Sequence, residues 1–241
     1  MRSTVVCSLL AVAFCLAAAV PASAQLSTLR ITEAMSQSGT APTFTPDWWE
    51  VTNFGTSAVD ITGWKFDDSS FAIGNAVALN GVTSIGAGES VVFLETAAPG
   101  TDIPNFRSFW GGSAATAAIG SYTGSGVGLS SAGDGIVLFN SGSAEATPRV
   151  SFGGATLGSS FYYQYSSVGD PTTSPNTSAL VSTVGTLNGQ VTYLSATSAT
   201  QNNGSPGTAI NAVPEPSSMA FAGIGVGLAA WFASRRRHPA G

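Results

Sequence analysis

The means of activating a nucleophile are nearly missing from this sequence. Its two cysteines, Cys7 and Cys15, fall within the first 24 residues, and its one histidine, His238, stands close to the end. The chain between them therefore has neither residue. That excludes Ser-His-Asp and Cys-His catalysis and leaves no nitrogen or sulfur ligand for zinc. It also excludes disulfides, so a domain built from this stretch is held by its core alone. Lysine is represented once, by Lys65 beside Trp64, which reads as a solvated edge charge on a strand. Charged residues make up only 9% of the chain, and between 25 and 212 four cations stand against twelve acids. Phosphate binding needs clustered Lys and Arg, so that balance argues against a nucleic-acid partner.

What is present is clearest at the two ends. Arg2 is a one-charge n-region, Val5 to Val20 an apolar h-region, and Ala22-Ser23-Ala24 a small-residue cleavage site leaving Gln25 first. At the other end, Val213-Pro214-Glu215-Pro216 refuses a helix, because proline fixes its own φ and pushes its predecessor out of the α region. An uncharged run of 17 residues follows, 217–233, and Arg235-Arg236-Arg237 closes it. As a helix that run measures roughly 26 Å at about 1.5 Å per residue, a length that snorkelling arginines and local thinning fit to a bilayer. The cationic flank stays cytoplasmic, which places the preceding chain outside. This order of parts resembles the PEP-CTERM sorting signal of bacterial exported proteins. The resemblance implies recognition of the Pro-Glu-Pro segment by an exosortase, an integral membrane protease-transpeptidase that removes the helix.

Between the ends, short strands alternate with turns. Leu29, Ile31 and Glu33 alternate with Arg30, Thr32 and Ala34, and Trp48–Thr52 alternates with Trp49 and Val51 on one face. Val59 and Ile61 share a face, and a bulge at Thr62-Gly63 would bring Trp64 and Phe66 to the side of Ile61. Val91–Leu94 and Ile136–Phe139 are continuous apolar runs, read as strands buried on both faces. Val150 to Phe152 and Phe161 to Tyr165 add further strands. Residues 97–128 are less regular, with Phe106 and Trp110 as packing anchors. No window outside the termini sustains a helical period, so the expected class is an all-β sandwich.

Several of these segments, in order, resemble the lamin-tail domain. They are Leu29–Glu33, Asp47–Asn53, Val59–Trp64, Glu89–Leu94 and Leu129–Leu138 with its Gly133-Asp134. Asn203-Gly204-Ser205-Pro206-Gly207 is similar to the Ser-Pro-Gly that closes bacterial examples. The resemblance implies an immunoglobulin-like β-sandwich used for binding or tethering, flanked here by a signal-peptide helix and a transmembrane helix. The Ala/Gly insert Ser113–Gly128 departs from the family pattern.

The implied organisation is a signal peptide at 1–24 and a sandwich at 25–165, ending there or running on to about 207. Ser/Thr-rich late strands and a polar stalk follow at 166–212, and the sorting signal occupies 213–241 with its membrane helix at 217–233. Asp67 and Asp68 are a candidate oxygen pair for calcium, although paired aspartates more commonly form turns. Phe161, Tyr162, Tyr163, Tyr165 and Trp48 are candidates for a sugar-stacking platform, with strand packing the competing reading. No cofactor is expected. The function expected is a non-catalytic surface or matrix module whose partners are exosortase, the membrane, and exopolysaccharide or other surface proteins. The alternatives are a secreted hydrolase using carboxylates only, recognisable by acids converging in one pocket, and a glycan-bearing spacer.

Overall fold

The computed structural model describes residues 28–39, 46–165, 175–183, 193–194 and 202–209. The strands are β1 (Leu29–Met35), β2 (Trp48–Asn53), β3 (Val59–Asp60), β4 (Lys65–Asp67), β5 (Val77–Ala78), β6 (Ser84–Ile85) and β7 (Ser90–Glu95). Helix α1 (Pro99–Trp110) and a 3-10 turn at Gly112–Ala115 precede β8 (Ala118–Tyr122), β9 (Asp134–Phe139) and β10 (Val150–Phe152). The late pairs are β11 (Phe161–Tyr162), β12 (Leu180–Val181), β13 (Tyr193–Leu194) and β14 (Asn203–Gly204). They build a six-stranded sheet in the order β12-β11-β1-β2-β7-β8 and a four-stranded sheet in the order β10-β9-β4-β5.

The two sheets enclose one apolar core. Trp49 on β2 stacks on Phe93 of β7 with ring centroids 4.7 Å apart, and reaches Phe66 of β4, in the other sheet, at 5.2 Å. Leu29, Ile31, Val51, Val91, Ile136, Leu138 and Val150 fill the space around them, all buried. Trp64 and Ile61 join the same core, as their sequence pattern predicts. The predicted bulge at Thr62-Gly63 is instead a turn, closed by a bond from the Trp64 N–H to the Ile61 carbonyl at 3.1 Å. It separates β3, paired with β6, from β4 in the four-stranded sheet, so the parity change marks a change of sheet. Lys65 sits half-buried on an inner strand, between β9 and β5, rather than at an edge.

A second apolar cluster lies on the outer face of the larger sheet. Met35, Trp48, Val92, Leu94 and Ile119 are covered there by Phe106, Phe109 and Trp110 of α1. This helix corrects the expectation of a helix-free domain. Pro99 opens it, where a missing N–H costs nothing, and its buried residues recur at a spacing of three and four. The helix forms because β8 runs parallel to β7, and a parallel pair needs a crossover, commonly helical. Gly120 makes that pairing possible: a Cβ there would stand 2.4 Å from the Phe93 ring and 2.7 Å from the Asn80 carbonyl oxygen.

Strand β1 carries a register shift between Ile31 and Glu33. The bulge breaks the predicted alternation. Ala34, rather than Glu33, joins Leu29 and Ile31 in the core. Glu33 is rotated to the outer face, opposite Glu50 of β2.

Candidate functional site

Glu33 and Glu50 are both fully buried and occupy paired positions on adjacent strands. Such a pair is stable only if donors surround it. Those donors come largely from Asn202–Ala209, far along the chain, which lies across the outer face as a strap. The Ser205 N–H donates to both Glu33 carboxyl oxygens, at 2.8 and 3.1 Å, and the Ser205 hydroxyl donates to Oε2 at 2.8 Å. The Ser160 hydroxyl donates to Glu33 Oε1. Glu50 Oε2 accepts the Gly207 N–H at 2.6 Å and the Thr208 N–H at 3.1 Å, while Thr32 Oγ1 donates to Oε1 at 2.6 Å. Hydroxyls continue the row outward, Thr32 to Thr52 at 2.9 Å and Thr52 to Ser90 at 2.7 Å.

The strap is secured beyond the acids as well. Gly39 donates its N–H to Asn202 Oδ1 at 2.7 Å, and Ser113 Oγ donates to the Pro206 carbonyl at 3.0 Å. Two glycines let it lie this close. A Cβ on Gly204 would meet Glu33 Oε1 at 2.8 Å. Gly207 adopts φ +87°, and a Cβ there would meet Ala117 Cβ at 2.8 Å and the Ser113 carbonyl at 2.9 Å. Where the sequence leaves open a polar stalk or a sandwich running on to about 207, residues 202–209 are packed structure, with Ser205 wholly buried. Serine, glycine and threonine supply backbone donors without bulk, which made the segment look like linker.

Burial dominates the titration of the pair. It pushes the Glu33 carboxyl up to about 7, although the Ser160 and Ser205 bonds oppose the rise. Glu50 goes up to about 8, through burial first and the neighbouring Glu33 charge second. Burial and the charges of Glu95 and Asp134 likewise raise Asp47 to about 7. In the unfolded chain these groups ionise near ordinary carboxylate values, so between about pH 4 and 8 the folded state holds more protons. Stability must fall as pH rises through that window and level off on either side. We expect the melting temperature of residues 25–212 to drop from pH 5 to pH 8.5, with a smaller drop in Glu50→Gln. A flat profile in the wild type would contradict the burial of the pair.

The other predicted sites distribute differently. Asp67 is buried at the end of β4 and accepts from Ser70 Oγ at 2.7 Å and the Ala72 N–H at 2.6 Å. Asp68 accepts the Ser70 N–H at 3.0 Å, so the two aspartates build a turn. Among the described residues no group of three or more His, Cys, Asp or Glu is placed to hold a metal ion. The aromatic platform is absent: Phe161, Tyr162, Tyr163 and Tyr165 are buried, and Trp48 lies under α1, 5.8 Å from Phe106 and 5.6 Å from Trp110. Among the described residues no helix is long and apolar enough to cross a membrane. The cleavage residues Ala22, Ala24 and Gln25 lie outside the described residues, as do Val213–Pro216, 217–233 and Arg235–Arg237.

Sequence reasoning placed Glu33 and Glu50 on strands without pairing them. The one local signal was a glutamate in each of two neighbouring strands of otherwise buried character. Comparison with known proteins bears on two stretches of the chain. The family model described as Lamin Tail Domain matches residues 22–154, and the one described as PEP-CTERM protein-sorting motif matches residues 212–237. No curated protein and no solved structure matches the chain. Since the first of these matches spans more than half of the chain and covers β1 to β10 of the sandwich, the protein belongs to the lamin tail domain family, and it carries a PEP-CTERM sorting motif behind that domain.

Proposed function

We propose that this protein is exported, cleaved after Ala24, and held in the inner membrane through 217–233 until an exosortase acts at Val213-Pro214-Glu215-Pro216. It then reaches the cell surface or the extracellular matrix, where the lamin-tail sandwich binds or tethers surface polymer or protein without turning it over. The observation that carries this reading is the order of the two family matches, a binding-type domain at 22–154 followed by a sorting motif at 212–237. Arg235–Arg237 supply the cytoplasmic anchor that such a tail requires.

The geometry of the acids supports a non-catalytic role. A carboxylate hydrolase needs two carboxyls open to substrate. Glu33 and Glu50 converge, but all four of their oxygens accept protein donors, and the strap covers them. Binding is expected to be weak, since nearly all the aromatic side chains among the described residues are buried in packing. Many copies on one surface would still retain a matrix, because multivalency multiplies modest affinities.

Two measurements test the reading. In the native host, Glu215→Ala should keep the C-terminal helix on the protein while the wild type loses it. Identical C-termini by mass spectrometry would end the sorting proposal. Separately, residues 25–212 should be retained on the host's own exopolysaccharide or envelope and show no polysaccharide, nuclease, phosphatase or esterase turnover. Turnover lost with one Asp or Glu substitution would replace the module with an enzyme.

A further inference from the structure

The strap and the sorting motif stand very close together in the chain. Thr208, held by its N–H on Glu50 Oε2 at 3.1 Å, is six residues before Pro214. Even fully extended, at about 3.5 Å per residue, the link between them reaches only on the order of 20 Å. Cleavage and transfer at a peptide bond require bare, extended chain on both sides of that bond, as strand-like peptide recognition does. With Ser205, Gly207 and Thr208 pinned to the acid pair, the folded body would press against the membrane enzyme before enough chain was free.

We propose that the strap gates processing: the exosortase acts on the fraction of molecules in which Asn202–Ala209 has left the Glu33–Glu50 pair. The inference rests on the sorting reading and adds a regulatory step to it. The seat is built to hold. Ser205 is fully buried, Gly207 is wedged against the 3-10 turn, and the Thr208 N–H also bonds the Ser205 carbonyl at 3.1 Å, closing the strap on itself. It is also separable from the sandwich core: none of its residues belongs to the apolar clusters, and beyond the acid pair it is held by polar bonds, to Gly39, to the 3-10 turn, and through Asn203 to Gly158 and Ser160 before β11. Release therefore need not unfold the domain. Processing speed becomes a readout of how firmly Asn202–Ala209 is seated.

The test is a pulse-chase in the native host, following conversion of the full chain to the form lacking its C-terminal helix. Three variants are compared with the wild type. A flexible spacer of about ten Gly and Ser residues inserted between Ala212 and Val213 supplies reach without touching the strap. Gly207→Ala forces a side chain into the left-handed region and against Ala117 and Ser113, so it should unseat the strap. Glu215→Ala reports whether the motif is used at all. The spacer and Gly207→Ala should each speed conversion on the order of tenfold, and the two combined should exceed neither. Hydrogen exchange at the Ser205 and Thr208 amides, faster in Gly207→Ala and unchanged with the spacer, ties the effect to unseating. Wild-type rates in both the spacer and the Gly207 variant, with Glu215→Ala still blocking, would overturn the gate alone. Conversion unaffected by Glu215→Ala would remove the sorting reading and the gate with it.

Discussion

Replacing Trp49 by alanine should cost residues 25–212 about 3–5 kcal/mol, enough to bring a domain of ordinary stability close to unfolding. The size follows from where the ring sits. Trp49 is fully buried, stacks on Phe93, and bridges the sheets through Phe66, with Tyr122 6.0 Å away. No other side chain can fill that space, because these neighbours come from strands fixed by their own ladders. The indole N–H has no hydrogen-bond partner in its buried site, so Trp49→Phe should cost much less than Trp49→Ala. Trp64→Ala should fall between them, since Trp64 lies nearer the rim with 6% of its surface exposed. Urea unfolding followed by far-UV circular dichroism measures all three. Trp49→Ala as stable as the wild type would mean that the two sheets do not pack through this residue.

How much of this was legible in the sequence depended on how local each cause was. Strands β2, β7 and β9 were readable because alternation, or an unbroken apolar run, is a property of a few consecutive residues. Trp49 and Trp64 are placed in the core by the resemblance to the lamin-tail pattern, and both are buried there. Helix α1 was not readable. It contains Pro104 and Gly100, and it is held by the outer face of a sheet that its own sequence does not describe. Only Phe106 and Trp110, four residues apart, hinted at it. The same crossover explains why β8 was lost in an Ala/Gly insert: Gly120 is there because Phe93 leaves no room for a Cβ. The face of Glu33 was misread because one bulge at Thr32 reverses the side-chain parity of everything after it. The strap's segment was visible through its resemblance to a closing Ser-Pro-Gly, but its seat was not, since that depends on carboxylates 172 and 157 positions away.

Ending the chain at Thr200 instead of Ala212 should cost about 3 kcal/mol and, more diagnostically, flatten the dependence of stability on pH. Five hydrogen bonds to the acid pair leave with the strap, from the Ser205 N–H (two), the Ser205 hydroxyl, and the Gly207 and Thr208 N–H groups. Each contributes on the order of 1 kcal/mol net, and water restores part of the loss once the cover is gone. The Gly39–Asn202 and Ser113–Pro206 bonds go too. Water is also why the pH slope changes. In the intact domain burial is the largest cause raising both carboxyls, so the folded state keeps protons that the unfolded chain releases at lower pH. Removing the strap hydrates the carboxyls, lowers them toward their ordinary value, and leaves little difference between folded and unfolded states. The shortened domain should therefore be much less stable than the longer one at pH 5, where the buried pair is mostly neutral and carries little penalty of buried charge. The gap should narrow toward pH 8.5, where the intact domain carries the penalty of buried charge and the shortened one does not. Ser205→Ala should land between the two chains, because it removes the hydroxyl donor and keeps the backbone donor to Glu33. Urea midpoints at both pH values decide the matter. Equal stability of the two chains across that range would mean that Asn202–Ala209 does not seat on the acid pair, and the packed strap would have to be given up in favour of a free linker.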